Sequence, residues 1–337
     1  MKKSNILYIG NDFAKTSKYN SSMEVLSQLL ISEGFVVYKT SKKSNKLARL
    51  FDMCKTIIIK RKVDYILIDT FSTLNFYYVL ITSQLARIFK IKYILILRGG
   101  NLPYRINYSK TISNFIFKNS YKNVAPSNYL KIAFEKRNYK TIFIPNILDI
   151  DKYSFKNRKI IRPKILWVRA FRNLYNPTLA IEVLKLVKEQ FPEASLCMVG
   201  PKHDNSFQDS IKLAEKYQLE NSVEFTGILQ KEEWHKKSKE FDIFINTTNF
   251  DNTPVSVMEA MALGLVIIST NAGGMPYLID NGINGILVDK ENAEQMANQI
   301  FKVLKQQNIK LTVNAREKAE TFGWNVVKNQ WTELLNN

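Results

Sequence analysis

Short apolar segments alternate with longer segments of helical periodicity along the whole chain of 337 residues. Alternation of this kind is typical of parallel sheets whose two faces are covered by helices. Because the connection between two parallel strands is right-handed, each half of the chain is expected to form a doubly wound unit. The sequence therefore predicts an α/β protein with two Rossmann-like parallel-sheet domains.

The strands predicted in the first half span residues 5–9, 35–39, 64–69, 92–97, 123–125 and 141–144, and its helices span 22–32, 46–60, 74–89, 109–118 and 128–136. The strands predicted in the second half span residues 164–168, 195–199, 222–225, 243–246, 266–269 and 286–288, and its helices span 177–189, 208–217, 232–237, 254–263, 293–305 and 312–321.

The length of the chain exceeds what one hydrophobic core usually serves. We predict an N-terminal domain over residues 1–150 and a C-terminal domain over residues 151–322. A last helix is expected within residues 323–337, and its apolar stripe needs a partner surface, such as the first domain.

The composition favours a reducing compartment. Its two cysteines, Cys54 and Cys197, are too few for a disulfide framework. The two lysines at the start and the short apolar stretch up to Ile9 predict a first strand rather than a secretory signal. No apolar run approaches the ~18 residues of a membrane span. We therefore expect a cytoplasmic protein.

The positive charge is concentrated in the first half. Residues 1–150 carry 25 Lys and Arg against 8 Asp and Glu, whereas residues 151–337 carry 24 against 22. Such an excess is suited to a polyanion or to the inner face of an anionic membrane, with solubility alone as the alternative.

One helix of this half has a basic amphipathic pattern, in which apolar residues share a face: Leu47, Leu50, Phe51, Cys54, Ile57 and Ile58. We predict that this face packs on its sheet, although a helix of this kind can also lie on a membrane.

The segment 246–276 has the strongest functional signal. A strand is predicted to end at its start, and a polar loop leads into a helix. Thr253 is expected to be the N-cap of that helix and Pro254 its first residue. The N–H groups at such a helix start, near Val255 and Ser256, are suited to an anion such as a diphosphate.

Two carboxylates accompany this helix. Asp251 precedes it and Glu259 lies inside it, where a carboxylate can accept two hydrogen bonds from a vicinal diol such as that of ribose. Asn252 belongs to the same loop. Gly273 and Gly274 follow the next strand, where the absence of a side chain lets backbone approach a ligand closely.

This combination resembles the donor site of family-4 glycosyltransferases, which are retaining enzymes of the GT-B fold with two Rossmann-like domains facing a cleft. The family pattern is an acidic residue, seven residues, a Glu that opens an E-A-M-A-x-G helix, a strand and two glycines. It is met here by Asp251, by residues 259–264 and by residues 273–274. The resemblance implies that Glu259 binds the ribose, that Asp251 contacts the transferred sugar, and that the N–H groups near Val255 and Ser256 cradle the diphosphate. Asn252, Thr253 and Pro254 are further candidates for binding the donor.

The segment 168–177 resembles the basic part of that donor site. The family has an Arg here and a Lys about five residues later, and together they neutralise the diphosphate. Arg169 occupies the first position, but the second is held by Leu174 or Tyr175. Arg172 is a candidate substitute for the missing lysine.

Two glycine turns extend the resemblance in the second half. Gly200 follows a strand in the segment MVGP, and Gly227 lies in VEFTGIL, which in the family precedes the pocket for the base. Both are expected near the donor.

The first half resembles the acceptor side of the family more loosely. Gly10 and Asn11 open a polar loop after the first strand, where the family places acceptor and diphosphate. Gly99 and Gly100 follow another strand. The family often has a histidine in this region, facing the reacting sugar, but both histidines of this chain lie in the second half. Arg98 stands in that place and is a third catalytic candidate beside Asp251 and Arg169.

Other sites have weaker support. The chain has no G-x-G-x-x-G motif and no G-x-x-x-x-G-K-[ST] motif, which argues against a simple dehydrogenase or a nucleotide triphosphatase. No His and Cys pattern has the spacing of a metal site. The D-x-D sequence at residues 149–151 lies at the expected hinge, and we do not predict that it binds a metal. A nucleoside diphosphate sugar is expected as a substrate, with no further cofactor.

The resemblance implies a metal-independent, retaining hexosyltransferase. It would move a hexose or N-acetylhexosamine from a nucleoside diphosphate sugar, with UDP as the expected carrier, to a lipid-linked or polysaccharide acceptor. Surface polysaccharide or capsule assembly at the inner face of the membrane is the expected setting. A sugar-nucleotide epimerase or hydrolase of the same fold is one alternative, and a polyanion-binding protein without chemistry is another. Nucleic acid is not expected, because the basic residues are scattered rather than set in an aromatic-bearing RNA module.

Overall fold

The computed structural model describes residues 3–10 and 21–336. The chain divides into two compact units, Met1–Ile147 together with Trp324–Asn337, and Leu148–Gly323. No helix within the described residues is long and apolar enough to cross a membrane.

The first unit is built on a parallel sheet of six strands in the order β2-β1-β3-β4-β5-β6. Its strands are β1 (Asn5–Ile9), β2 (Val36–Thr40), β3 (Tyr65–Thr70), β4 (Lys92–Leu97), β5 (Lys122–Ala125) and β6 (Thr141–Phe143). Its helices are α1 (Ser22–Ser32), α2 (Lys46–Ile59), α3 (Asn75–Ile88), α4 (Leu102–Tyr108), α5 (Lys110–Phe117), α6 (Asn128–Glu135) and the last helix of the chain, α14 (Trp324–Asn336).

Helices cover both faces of this first sheet. Successive residues of a strand point to opposite faces, so Leu7 and Ile9 join one core whereas Ile6 and Tyr8 join the other. The first core also contains residues of α2, α3, α5 and α6, and the second contains residues of α1 and α14. Trp331 of α14 is buried there with Tyr8, so the final helix completes the first unit.

The second unit is built on a parallel sheet of six strands in the order β12-β11-β10-β7-β8-β9. Its strands are β7 (Lys164–Val168), β8 (Ser195–Val199), β9 (Val223–Gly227), β10 (Ile243–Asn246), β11 (Val266–Thr270) and β12 (Ile286–Val288). Its helices are α7 (Pro177–Gln190), α8 (Ser206–Lys216), α9 (Lys231–Lys237), α10 (Val255–Ala262), α11 (Met275–Leu278), α12 (Ala293–Gln306) and α13 (Lys310–Glu320), with short 3-10 turns at Ile150–Lys152, Asn173–Tyr175 and Ser238–Glu240.

Each sheet has one point at which the order of its strands reverses. That point lies between β1 and β3 in the first sheet and between β7 and β10 in the second. Ligands of open α/β sheets bind beyond the carboxyl ends of the strands at such a point. The residues that follow these four strands are therefore candidates for ligand binding. The predicted fold class, two doubly wound parallel sheets, is confirmed.

A buried ion cluster joins elements at the opposite edge of the second sheet. The Arg158 guanidinium is 2% exposed and donates through Nε to Oδ1 of the buried Asp242, at 3.1 Å. Arg162 Nε lies 2.7 Å from the second oxygen of the same carboxylate. Burial alone would raise the pKa of Asp242, but the hydrogen bonds from Arg162 outweigh it and hold the pKa below its ordinary value.

Helix α2 turns a different face to the sheet than its sequence predicted. Met53 and Ile57 are buried, whereas Leu47 is 81% exposed and Phe51 is 72% exposed. Arg49 lies on the buried stripe, because its guanidinium donates to two backbone carbonyls just before the helix. The predicted apolar face is therefore largely on the outside.

The start of α10 also differs from the prediction by one residue. The helix begins at Val255, and Pro254 is its N-cap. Pro254 has a φ of −67°, which suits a cap as well as a helix, but its ψ of 123° is extended. Its carbonyl accepts hydrogen bonds from the N–H groups of Val257 and Met258, at 3.1 and 3.3 Å. Thr253 therefore lies in the loop and is not the cap.

Candidate active site

An oppositely charged pair occupies the reversal point of the second sheet. Arg169 directly follows β7, and Asp251 lies in the loop after β10. The Arg169 guanidinium contacts the Asp251 carboxylate and lies over the Tyr175 ring, 4.2 Å from its centroid. The second oxygen of Asp251 accepts from the N–H of Asn252 at 2.8 Å. Both charged side chains remain partly exposed, at 20% and 14%, so the pair is accessible to a ligand.

Buried polar atoms without partners lie at the same edge of this sheet. Arg169 Nε and Ser256 Oγ are both buried and have no hydrogen-bond partner among the described residues. Ser256 is the second residue of α10, and the first N–H groups of a helix have no acceptor inside it. An anion bound here would offer acceptors to groups of this kind.

Two glycines hold the loop that carries Asp251. Gly273 has a φ of +58°, and a Cβ placed on it would lie 2.0 Å from the Asp251 carbonyl oxygen. A Cβ on Gly274 would lie 1.8 Å from the carbonyl oxygen of Asn252. Gly274 also donates its N–H to the Asp251 carbonyl, at 2.9 Å. Because these two residues have no side chain, the loop of the protein that carries Asp251 and Asn252 can lie directly against their backbone.

Two further glycines support Arg169, one directly after β8 and one at the end of β9. A Cβ on Gly200, which follows β8, would lie 1.8 Å from the Arg169 carbonyl oxygen. The N–H of Gly200 donates to the carbonyl of Gly227, the last residue of β9, at 2.8 Å. The carboxyl ends of β7, β8 and β9 are thus held close together beside Arg169.

Glu259 is buried on the inner side of α10, with 3% exposure. The Tyr153 hydroxyl donates to its Oε1 at 2.9 Å, and Lys231 Nζ lies 2.5 Å from the same oxygen. His235 Nε2 lies 3.9 Å from Oε2 and, among the described residues, has no hydrogen-bond partner. One oxygen of the carboxylate is therefore anchored, and the other faces an imidazole beyond hydrogen-bond length.

The charge of Glu259 is maintained by these neighbours. Burial alone would raise its pKa, but the nearby His235 and Lys231 outweigh burial and hold the pKa below its ordinary value. The carboxylate is therefore an anion at neutral pH, ready to accept hydrogen bonds from hydroxyl groups.

Tyr153, Lys231 and His235 were not among the residues predicted from the sequence. Tyr153 is 106 residues away from Glu259 along the chain, so no local pattern connects them. The one available signal is the spacing of Lys231 and His235, which are four residues apart and share one face of α9.

The remaining candidates of the second unit are less directly placed. Asn252 is buried in the loop that carries Asp251. Arg172 is exposed on the turn after β7. Within residues 3–10 and 21–336, no group of three or more His, Cys, Asp and Glu side chains is arranged to hold a metal ion.

In the first unit, the Arg98 guanidinium contacts three side chains of the same unit. Its Nε lies 3.0 Å from Asp69 Oδ1, its Nη1 donates to Asn146 Oδ1 at 2.9 Å, and its Nη2 donates to the Tyr8 hydroxyl at 3.2 Å. The Tyr8 hydroxyl in turn donates to Asp69 at 2.9 Å. Burial and the negative charge of Asp69 raise the pKa of Tyr8, which stays neutral. Three protein acceptors thus surround this guanidinium.

The glycines predicted for the acceptor side lie around the same network. A Cβ on Gly10 would lie 2.9 Å from Asp69 Oδ2, and one on Gly99 would lie 2.8 Å from the backbone nitrogen of Ser72. Gly100 is the next residue along that turn. Asn11, predicted to share the loop after β1, lies outside the described residues.

Comparisons with known proteins identify the family of the second unit. The family model of glycosyl transferases group 1 matches residues 149–322. The sulfoquinovosyl transferase SQD2 of Arabidopsis thaliana is 27% identical over 150 residues, which are 43% of this chain and 28% of that protein. The amylovoran biosynthesis glycosyltransferase AmsK of Erwinia amylovora is 26% identical over 199 residues, which are 56% of this chain and 48% of that protein. The chain thus spans less than half the length of these two relatives.

A solved structure shows the same fold over nearly the whole chain. HepE of Anabaena, in complex with UDP-glucose, superposes with a TM-score of 0.78 over 99% of both chains, at 16% identity.

Proposed function

Since the chain belongs to the glycosyl transferases group 1 family, we propose that it is a retaining enzyme that takes a hexose or N-acetylhexosamine from a UDP-sugar. The acceptor in this proposal is lipid-linked or a polysaccharide. One observation supports the donor site in this proposal. Arg169, the start of α10 and the buried anion of Glu259 lie at the carboxyl edge of one sheet. The UDP-glucose bound to HepE supports uridine as the base, and the role of AmsK in amylovoran biosynthesis supports a polysaccharide setting.

Arg169 and the start of α10 are proposed to bind the diphosphate. The guanidinium supplies positive charge, and the N–H groups at the helix start supply donors that are already oriented. As the bond to the sugar breaks, negative charge grows on the departing UDP, so these groups stabilise the transition state more than the bound donor. We propose that they replace a metal ion in this role, and that no cofactor is needed.

Asp251 is proposed to face the transferred sugar. Loss of the diphosphate gives the sugar oxocarbenium character, which a nearby carboxylate stabilises. The carboxylate is held by Arg169 on one oxygen and by the Asn252 N–H on the other. Its position therefore depends on the loop that Gly273 and Gly274 support.

Glu259 is proposed to bind the two ribose hydroxyls of the donor. Tyr153 and Lys231 anchor Oε1, which leaves Oε2 as the acceptor for an incoming diol. The lowered pKa of Glu259 keeps this acceptor charged throughout the neutral range.

The first unit is proposed to bring the enzyme to an anionic membrane surface, where a lipid-linked acceptor would lie. Its excess of positive charge is the supporting observation, with 25 basic against 8 acidic residues over 1–150. Assembly of a surface polysaccharide such as a capsule, at the inner face of the membrane, is the setting that we propose.

A panel of nucleotides and nucleotide sugars tests the donor site by thermal unfolding. We expect UDP and UDP-sugars to stabilise the protein, by about 2.7 kcal/mol when the ligand is at a hundred times its Kd. Glu259→Gln should lose this stabilisation, whereas Glu189→Gln, on the exposed side of α7, should keep it. Stabilisation by no nucleotide would contradict the proposal.

Release of UDP from the best donor then separates transfer from hydrolysis. A transferase should release UDP much faster when a membrane or saccharide extract that contains the acceptor is added. A rate of UDP release that is high without any extract would identify a hydrolase of the same fold.

A further inference from the structure

The helices on one face of the first sheet carry a second, exposed apolar surface. Their outer side bears large apolar side chains, which we call the outer apolar surface: Leu47, Phe51, Ile58 and Ile59 of α2, Leu74, Tyr77, Ile81 and Ile88 of α3 and its cap, Tyr104 and Tyr108 of α4, and Phe115 of α5. These helices belong to one layer, because α2, α3 and α5 share the same core against the sheet and α4 contributes Leu102 and Ile106 to it.

The spacing along the helices shows that this surface is organised. On α2, residues 47, 51 and 58 fall on one stripe at a period of 3.6, and on α3 residues 77, 81 and 88 do the same. The inward stripes of the two helices are separate and already buried, with Met53 and Ile57 on α2. The helices are therefore apolar on two sides, and only one of these sides is covered by the protein core.

The charged residues around this surface are almost all basic. Exposed lysines and arginines surround it on the helices and on the turns beside them: Lys42, Lys43, Lys46, Lys55, Arg61, Lys62, Arg87, Lys90, Lys110 and Lys118. Asp52 is the single acidic residue within α2, α3, α4 and α5, and its carboxylate accepts from the Thr40 hydroxyl at 3.0 Å. The surface thus combines apolar side chains with predominantly positive charge.

We infer that the outer apolar surface docks on an anionic lipid bilayer. Leu47 and Phe51 would enter the interface between headgroups and chains, while the lysines and arginines contact the lipid phosphates. Tyr104 and Tyr108, whose rings stack with centroids 6.1 Å apart, are residues that favour the membrane interface. A second copy of this chain fits less well, because two such surfaces would face each other with like charges.

The position of this surface connects it to the proposed reaction. In each βα unit the helix begins near the carboxyl edge of the sheet, so the starts of α2, α3 and α4 lie on the side that carries Gly10 and Gly99. An acceptor anchored in the bilayer would therefore lie near the edge predicted to receive it. The inference rests on the proposed attraction of the first unit to a membrane and specifies the surface that makes the contact.

Co-sedimentation with vesicles tests this surface. The vesicles are phosphatidylcholine alone or phosphatidylcholine mixed with phosphatidylglycerol, each at low and high salt. The wild type should bind the mixed vesicles, more weakly at high salt. The double variant Leu47→Gln/Phe51→Gln should bind at least about tenfold less, since two large apolar side chains are lost from the interface. Its matched control is Ile160→Gln/Ile283→Gln, which removes two exposed apolar side chains, 68% and 58% exposed, from the second unit.

A charge variant gives an independent measurement. Lys55→Glu/Lys62→Glu should remove much of the salt-sensitive binding, whereas Lys302→Glu/Lys305→Glu on α12 should change it little. All of these side chains are exposed, so each variant should unfold at the temperature of the wild type. Stabilisation by UDP should be the same in all of them.

The outcomes separate this inference from the proposals on which it rests. Wild-type binding to mixed vesicles that Leu47→Gln/Phe51→Gln leaves unchanged would overturn the assigned surface alone. Wild-type protein that binds neither vesicle would overturn the surface and the proposed membrane attraction, while stabilisation by UDP would still support the donor site. A wild-type dimer that this double variant dissociates, without vesicle binding, would also overturn the inference.

Discussion

Gly274 provides a direct test of how the protein positions Asp251. Its backbone, with φ −85° and ψ −3°, lies in a region open to any residue, so alanine adds no backbone strain there. The added Cβ would lie 1.8 Å from the Asn252 carbonyl oxygen, and real Cβ contacts are not closer than 3.0 Å. In Gly274→Ala the loop with Asp251 and Asn252 must therefore move by at least about 1 Å.

The expected effect follows from this displacement. A misplacement of about 1 Å of a group that touches the reacting atoms costs on the order of 10²-fold in rate, or about 2.7 kcal/mol. We expect Gly274→Ala to lower the rate of UDP release from the preferred UDP-sugar by about this factor. The donor-binding stabilisation through Glu259 should change much less, because that carboxylate lies on α10 and is held by α9.

Gly282→Ala is the matched control. Gly282 belongs to the same unit and has a φ of +79°, but a Cβ placed on it meets no atom within 4 Å. Alanine there costs about 1–2 kcal/mol of backbone strain and leaves the Asp251 loop in place. If Gly274→Ala is folded and as active as the wild type, the loop is not positioned by this contact and the account of Asp251 is wrong.

Two further predictions concern buried carboxylates. Lys231→Met should raise the pKa of Glu259 and weaken UDP binding by about tenfold in calorimetry, since an anchoring cation is lost; unchanged affinity would show that this ion pair does not prepare the donor site. Asp242→Asn should lower the free energy of unfolding by about 3–5 kcal/mol at neutral pH, because Arg158 would lose its buried counter-ion. As the folded pKa of Asp242 is lowered, its contribution is complete above the ordinary pKa of about 4 and is lost as the pH falls through the lower folded value. When both proteins are unfolded with urea at several pH values from 7 to 3, the difference between their free energies of unfolding should therefore shrink at the acid end. A difference that stays constant would contradict this assignment.

Most strands were predictable because apolar runs in a parallel sheet are continuous. The segments at Asn5–Ile9, Lys92–Leu97 and Lys164–Val168 have the bounds that their sequences predict. Helices α4 and α11 were missed, because each has a proline shortly after glycines or an asparagine, which in sequence indicates a turn. Their prolines lie at the helix start, where a proline is tolerated.

The face of α2 could not be predicted from periodicity alone. Two apolar stripes run along this helix, and the sequence does not show which of them meets the sheet. In the structure Arg49, Met53 and Ile57 face inward, and this leaves Leu47 and Phe51 outside. Periodicity within one helix also does not show which side chains of distant segments will contact each other.

The candidate donor site was predictable only in part. The loop, helix and glycines around Asp251 and Glu259 are close in sequence, so their spacing is informative. The anchors of Glu259 come from Tyr153 and from α9, and the contact of Gly274 with the Asn252 carbonyl depends on how β10 and β11 lie side by side. Such contacts are set by tertiary packing, and beyond the spacing of Lys231 and His235 on α9 they have no signature in sequence.

Calorimetric titration of UDP tests the central claim, that the carboxyl edge of the second sheet binds the donor diphosphate. We expect Arg169→Met to weaken UDP binding by about 10- to 100-fold, because a charge-assisted hydrogen bond contributes about 1.5–3 kcal/mol. Lys305→Met, which removes an exposed positive charge from α12 of the same unit, should leave the affinity as it is. If the wild type binds UDP and Arg169→Met binds it equally well, the diphosphate lies elsewhere and the donor site assigned here is wrong.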